Sequence, residues 1–344
     1  MAAVSEWRVK LVGRPSKDVS CPSIVKTRVI DTGLCCRCMA CMAACPAAVR
    51  TGVGFEFEER EHVCVDCEIC VRICPRLDYK PLSGVGSYIE AVAGRSKRFE
   101  GQDGAMVTEI LISAMEMGMI DRCIFVGRDE EWRTEVFHVR DVEQLEVPTL
   151  TGTKYTFAAA VPALREAVLN TKAGVGFVGT PCMVSAVRRL QKALAVFRRV
   201  KLVVGLFCTE NFYWEDLIPF LEEKGVDIKK LVKTDISKGK FIATMTDGVV
   251  EFPVKELSKI MPSGCRFCTD FSAVESDVSV GSVGSKPGFS TVLVRNENAK
   301  AVLDYIRERG YAEFDEVSLE AVERLCNLKK KREANIKEAM QKGD

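Results

Sequence analysis

"GVGFVGTPCMVSAVRRLQKALAVFRRVKLVVGLFC", residues 174–208, opens on a short apolar run, continues with apolar residues at helical spacing and closes on a second apolar run. The piece "GVGFVG" reads as a strand, "MVSAVRRLQKAL" as a helix and "KLVVGLFC" as a second strand. A strand, a crossover helix and another strand call for parallel pairing, and so for an α/β architecture. Gly174, Gly176 and Gly179 spell GxGxxG, but these glycines lie inside the strand, and Thr180, Pro181 and Cys182 occupy the turn. A dinucleotide fingerprint follows its strand and opens its helix, so that reading is set aside. Cys182 is expected to end the first strand and Cys208 the second, which puts both thiols at carboxyl ends of strands joined by one crossover. Open α/β sheets place their sites there.

Downstream, "FIATMTDGVVEFPV" (241–254) reads as a hairpin with an Asp-Gly turn. "SGCRFCTD" (263–270) then adds a CxxC pair, Cys265 and Cys268. Two strand-end thiols and one CxxC supply four ligands, enough for a [4Fe-4S] cube. Zinc accepts the same all-thiolate set, and a redox-active thiol pair at Cys265 and Cys268 is a third reading. Upstream, "GAMVTEILISAMEMGMI" (104–120) and "VPALREAVLNTK" (161–172) have helical spacing, while "RCIFVG" and "TEVFHVR" read as strands. "KPLSGVGSYIEAVAGRSKRF" (80–99) is a glycine-bearing link to whatever precedes it.

What precedes it is dense in thiol. One run is Cys35-x2-Cys38-x2-Cys41-x3-Cys45-Pro46 and the other Cys64-x2-Cys67-x2-Cys70-x3-Cys74-Pro75. This is the bacterial ferredoxin spacing, in which three close thiolates hold one cube and the fourth cysteine serves the other. Cys35, Cys38, Cys41 and Cys74 are thus expected to hold one cluster, and Cys64, Cys67, Cys70 and Cys45 a second. Two such clusters upstream favour a cube over zinc at Cys182, Cys208, Cys265 and Cys268, because a third cluster continues an electron path. Between the runs, "VGFEFEER" (53–60) alternates like a strand. Cys36 has the wrong spacing for a ligand and reads as a small buried side chain; Cys21, Cys123 and Cys326 read as isolated core or surface thiols.

The 344 residues are too many for one minimal core. A net charge of +1 gives no general pull toward nucleic acid or anionic membrane. No apolar run approaches the roughly 18 residues a membrane helix needs, and the charged N-terminus "MAAVSEWRVKLVGRPSKD" lacks a signal-peptide core. A cytoplasmic location is expected, where sixteen cysteines stay reduced unless something binds them. Peripheral association at the cytoplasmic membrane face is compatible with it.

Three further segments suggest a phosphate-bearing cofactor. "FEGQDGAMVTEIL" places Gly101, Gln102, Asp103, Gly104 and Thr108 at a helix start, "TLTGTKYTF" offers Thr151, Gly152, Thr153, Lys154 and Tyr155, and "VGSVGSKPG" contains Ser282, Gly284 and Ser285. Each read alone is also an ordinary turn.

With these segments in order, the chain from about Gly84 to Asn327 resembles the family of β subunits of coenzyme F420-reducing hydrogenases and dehydrogenases. The marks are "GQDGAMVTEILISAME", "TGTKY", "GTPCMVSAVRRL", "FCTENF" and "SGCRFCTDFSAVESDVSVGSVGSKPGFSTVLVR". With a two-cluster unit in front, the arrangement is similar to the electron-input subunits of F420H2 dehydrogenases. The resemblance implies FAD on the α/β domain, a [4Fe-4S] cluster at Cys182, Cys208, Cys265 and Cys268, and deazaflavin bound against the flavin. It implies an anaerobic, archaeal type of oxidoreductase taking hydride from F420H2 and passing electrons to a membrane-bound dehydrogenase complex (quinone or phenazine acceptor) or to ferredoxin. Lys154 is the candidate catalytic residue, tuning the flavin or holding a phosphate. A ferredoxin-dependent reductase of the same family acting on another substrate shares nearly all these motifs, as does a flavin-free electron relay.

The expected organisation is therefore α+β/α/β. A two-cluster ferredoxin-like domain spans 1–82, an α/β flavoprotein domain with a mixed sheet spans 83–328, and a basic C-terminal helix or tail spans 329–344. That tail begins with Lys329, Lys330, Lys331 and Arg332 and reads as a solvated end or a docking patch.

Overall fold

The computed structural model describes residues 25–44, 68–77, 79–141, 144 and 152–336. Cys21, Cys45, Cys64, Cys67, the expected strand at 53–60, Thr151 and the tail beyond residue 336 lie outside the described residues.

The strands are β1 (Glu90–Ser96), β2 (Arg122–Arg128), β3 (Thr134–Val139), β4 (Val175–Gly179), β5 (Val200–Leu206), β6 (Leu231–Ser237), β7 (Lys240–Met245), β8 (Gly248–Pro253), β9 (Val278–Gly281), β10 (Ser290–Val294) and β11 (Ala312–Asp315). Eight of them form one mixed sheet in the order β11-β1-β10-β9-β5-β4-β2-β3. Its centre is parallel, β2 beside β4, β4 beside β5 and β5 beside β9, and its flanks are antiparallel. All five residues of β4 are buried, as expected of a central strand covered on both faces.

The crossover helices Ala160–Asn170 and Pro181–Ala193 share a core with Phe177 and Val203 on one face. On the other, the helices Met106–Glu116 and Glu297–Arg309 pack Ile110, Leu111, Val302 and Ile306 against Leu202, Val204 and Val292. The Glu297–Arg309 helix is fixed at both ends. Asn296 accepts a hydrogen bond from the Ala299 amide at 3.0 Å, and Gly310 takes the left-handed conformation (φ 66°) that ends a helix.

The 174–208 segment folds as strand, helix, strand, with one difference. Pro181 opens the helix at once, so Cys182 sits in the first helical turn rather than at the strand end. The expected hairpin is also present, but its turn residues are Thr246 and Asp247, and Gly248 already belongs to β8. With β6 it makes a separate three-stranded sheet, the first turn formed by Lys238 and Gly239, both at positive φ. Its apolar face packs Phe241 and Phe252, stacked at 5.1 Å, against Phe212 and Leu221.

In the described N-terminal residues, the short helices Ala40–Ala44 and Ile69–Ile73 lie on the Ala160–Asn170 and Pro181–Ala193 helices. Cys36, Cys38, Ala40, Ala43 and Ile73 join the same core as those helices. A Cβ on Gly264 would meet the Cys35 carbonyl oxygen at 2.0 Å, so the CxxC loop and the first cysteine run touch backbone to backbone.

Candidate functional site

The carboxyl ends of β2, β4, β5 and β9 floor a cleft of about 370 Å³, with Phe125, Val126, Val178, Leu206 and Val280 in its lining. This is where an open α/β sheet offers a site. Three segments flagged in the sequence meet around it: Gly101, Gln102, Asp103 and Thr108; Gly152, Thr153, Lys154 and Tyr155; and Ser282. The polar loop is pinned in place. Gln102 Oε1 accepts the Thr153 amide at 2.7 Å, and the Thr153 carbonyl accepts the Thr234 hydroxyl at 3.0 Å. Gly152 turns the chain there at φ 81°, a conformation that suits glycine.

Gly104, Gly284 and Ser285 do not line the cleft. Gly104 is a packing glycine: a Cβ would lie 2.0 Å from the Gly94 oxygen, and its amide donates to Ser290 Oγ at 3.0 Å. Gly284 (φ 98°) makes a turn whose carbonyl accepts the Ser318 amide, and the Ser285 hydroxyl closes its own loop on the Ser282 and Phe289 carbonyls.

Lys154 lines the cleft as a half-buried amine. Burial, with Arg128 adding to it, brings its pKa from 10.5 down to about 7. Burial also raises the Asp103 carboxyl, and Asp235 reinforces the effect.

At one end the cleft shares a wall with a smaller cavity of about 20 Å³: Thr180, Cys208, Thr209, Glu210 and Asn211 line both. Cys182, Cys208, Cys265 and Cys268 stand around this second space. Cys182 comes from the helix after β4, Cys208 from the chain after β5, and Cys265 and Cys268 from the turn Ser263–Phe267 and the residue that ends it.

Three residues around it were not anticipated: Cys36, Arg76 and Lys329. Burial pushes the Cys208 thiol up to about 12 and Cys265 to about 11, and contact with Cys36 followed by burial holds Cys182 well above its ordinary value. As free thiols these groups are neutral, yet Arg76 and Lys329 are buried cations beside them. Thiolates bound to iron would give those cations the negative partners their burial calls for, so this donor set fits a cluster. Among the described residues, no three His, Cys, Asp or Glu side chains gather to hold a single metal ion.

A neighbouring cavity of about 40 Å³ is lined by Cys35, Cys38, Cys41 and Cys74, the set assigned from the ferredoxin spacing to one cube. Arg37 and Met39 adopt left-handed φ of 56° and 57°, bending the backbone around it. Cys36 and Arg76 line this cavity and the previous one. Cys36 is thus buried as expected but lies between two cysteine sites, hydrogen-bonded toward Cys182 and Cys38. Of the second ferredoxin set, only Cys70 is among the described residues.

The start of the basic segment is not uniformly solvated. The helix Leu319–Lys330 turns inward, and Lys329 is only 3% exposed, its ammonium bonded to the carbonyls of Cys208 (2.6 Å) and Asp270 (2.7 Å). Arg332 binds the carbonyls of Thr209 and Cys265 and the carboxylate of Glu210. Neither is part of a free docking patch.

Comparison with known proteins bears on this geometry. Residues 89–165 match the family model for the N-terminal part, and residues 173–320 that for the C terminus, of the coenzyme F420 hydrogenase/dehydrogenase beta subunit. One of the subunits of the F420H2 dehydrogenase of Methanosarcina mazei is 32% identical over 320 residues, covering 88% of this chain and 91% of that protein. A coenzyme F420-dependent sulfite reductase of Methanocaldococcus jannaschii is 33% identical over 327 residues; the match spans 88% of this chain and half (50%) of the reductase. Among solved structures, a chain of the F420-reducing [NiFe] hydrogenase complex from Methanosarcina barkeri superposes with a TM-score of 0.69 at 28% identity, covering 73% of this chain and 92% of that one.

Proposed function

The chain belongs to the family of coenzyme F420 hydrogenase/dehydrogenase beta subunits, which are F420-linked oxidoreductases, and from that premise we propose that it oxidises reduced coenzyme F420 at the cleft and hands electrons to the cysteine sites. The observation that carries this reading is the shared wall. Cys208 and its neighbours Thr209, Glu210 and Asn211 border the cleft on one side and the four-cysteine cavity on the other. A two-electron reaction in the cleft therefore lies one residue's thickness from a one-electron carrier site.

The residues around the cleft suit FAD. Its volume is within the range of small-molecule sites, the strand-end floor is apolar enough to receive a ring, and the Gly152–Tyr155 loop brings the Lys154 amine to one edge. FAD there would accept a hydride as a pair of electrons and release them singly to the cubes held by Cys182, Cys208, Cys265 and Cys268 and by the N-terminal cysteines. The protein's own work is then positional and electrostatic. Gln102 and Thr234 hold the loop, and Lys154 Nζ can take up or release a proton near neutral pH. Beyond the clusters, we assign the electrons to a partner, a membrane-bound dehydrogenase complex or ferredoxin. Among the described residues no helix is long and apolar enough to cross a membrane.

The similarity to half of an F420-dependent sulfite reductase favours one second reading, a module delivering the same electrons to a fused or associated reductase. Both readings are tested by mixing the purified, cluster-reconstituted chain with reduced F420 and an artificial dye. Bound flavin and dye reduction support F420H2 oxidation. A protein without flavin and without such activity removes it and leaves a relay.

A further inference from the structure

Lysine is almost never fully buried without a charged partner. Lys329 is nearly so, and both of its hydrogen bonds go to carbonyls, one of them that of Cys208. It lines the same small cavity as Cys208 and Cys268. The Asp270 carboxyl lies within electrostatic reach, but it accepts the Val274 amide and also faces Arg295. Arg332, one turn on, is matched by Glu210 at 2.7 Å. Lys329 is the cation placed at this cavity and not at the neighbouring one; Arg76 lines both.

We infer that Lys329 tunes the Cys182/Cys208/Cys265/Cys268 site, its buried charge making that site easier to reduce and so the preferred first acceptor beside the cleft. This rests on the reading that the four cysteines hold a cluster. One electron enters from the reduced flavin; no bond forms or breaks, and no proton need follow. The site becomes one charge more negative, and a fixed positive charge in a water-poor pocket favours that state. The same ammonium ties the Cys208 and Asp270 carbonyls together, so the charge stays in place.

The test is a redox titration of the reconstituted full chain followed by electron paramagnetic resonance, with iron content measured on each sample. In Lys329→Gln, which can keep a hydrogen bond but loses the charge, this cluster should retain its iron. Its reduction equilibrium should weaken about tenfold, or about 59 mV for one electron. Lys329→Arg should titrate with the wild type. The inference is overturned if Lys329→Gln does not move, or if the Gln and Arg variants move alike. Should Lys329→Gln fail to take up iron, Lys329→Met, uncharged and of similar length, carries the test: it should shift this cluster in the same direction, and an unshifted midpoint overturns the inference. Failure of the underlying reading looks different, since Cys268→Ser would then lose no iron.

Discussion

Lys329 Nζ donates to the Cys208 carbonyl at 2.6 Å, joining the last turn of the C-terminal helix to the strand end that separates the cleft from the cysteine cavity. A chain ending at Leu328 leaves the carbonyls of Cys208, Asp270, Thr209 and Cys265 without these donors. Each lost hydrogen bond from a charged donor costs about 1.5–3 kcal/mol. The truncated protein should melt at lower temperature and hold about four fewer iron atoms, one cube's worth. Unchanged melting and iron content would make the segment a frayed end after all.

Cys268→Ser should separate the two halves of the reaction. The cleft does not include Cys268, so the flavin should still be reduced by F420H2. On the proposed path, onward electron transfer to clusters held by the N-terminal cysteines should collapse, read as a loss of their reduction within a turnover. Transfer at the wild-type rate would show that Cys268 is no ligand of an obligatory relay.

Lys154 makes a pH-dependent prediction. Its folded pKa of about 7 lies below the unfolded value of 10.5. Between those values the unfolded chain binds more protons, so stability rises with pH across that window; below pH 7 the full penalty is present. Lys154→Met should therefore stabilise the flavin-free protein at pH 6, by up to a few kcal/mol, and the gain should fade toward pH 10. Melting curves at the two pH values decide it; a constant difference would mean the amine is charged throughout.

Gly104→Ala separates a packing role from a cofactor-binding one. An added methyl would face the Gly94 oxygen at 2.0 Å and the Ser290 nitrogen at 2.6 Å, backbone atoms that cannot rotate away. The loss should reach or exceed the about 1–3 kcal/mol usual for overpacking. A variant with wild-type stability but weakened flavin binding would return Gly104 to the cofactor site.

These cases mark what the sequence could carry. The β4–helix–β5 unit was readable because its apolar periods change from strand to helix and back within one short stretch. The four thiols of the third site were readable because cysteine is rare and their places follow from strand ends and a CxxC. Lys329 was not: "LKKKRE" reads as a solvated run, and which lysine turns inward depends on where the helix meets β5. Arg76 and Cys36 were hidden for the same reason, since their role arises only when the N-terminal segment packs on the CxxC loop at Gly264. Glycine-rich loops are ambiguous in a deeper way. Gly152 at φ 81° serves the cleft, while Gly104 serves sheet packing, and both look like phosphate-binding glycines in one dimension.

The proposed electron path crosses the shared wall at Cys208, and anaerobic rapid mixing of the flavin- and cluster-loaded protein with reduced F420 tests that crossing most directly. The flavin band should bleach first, and the broad iron–sulfur absorption should fall afterwards as the flavin band partly returns. In Cys208→Ser the first phase should remain and the second disappear. Iron–sulfur reduction at full rate in Cys208→Ser, or in protein stripped of flavin, would contradict it.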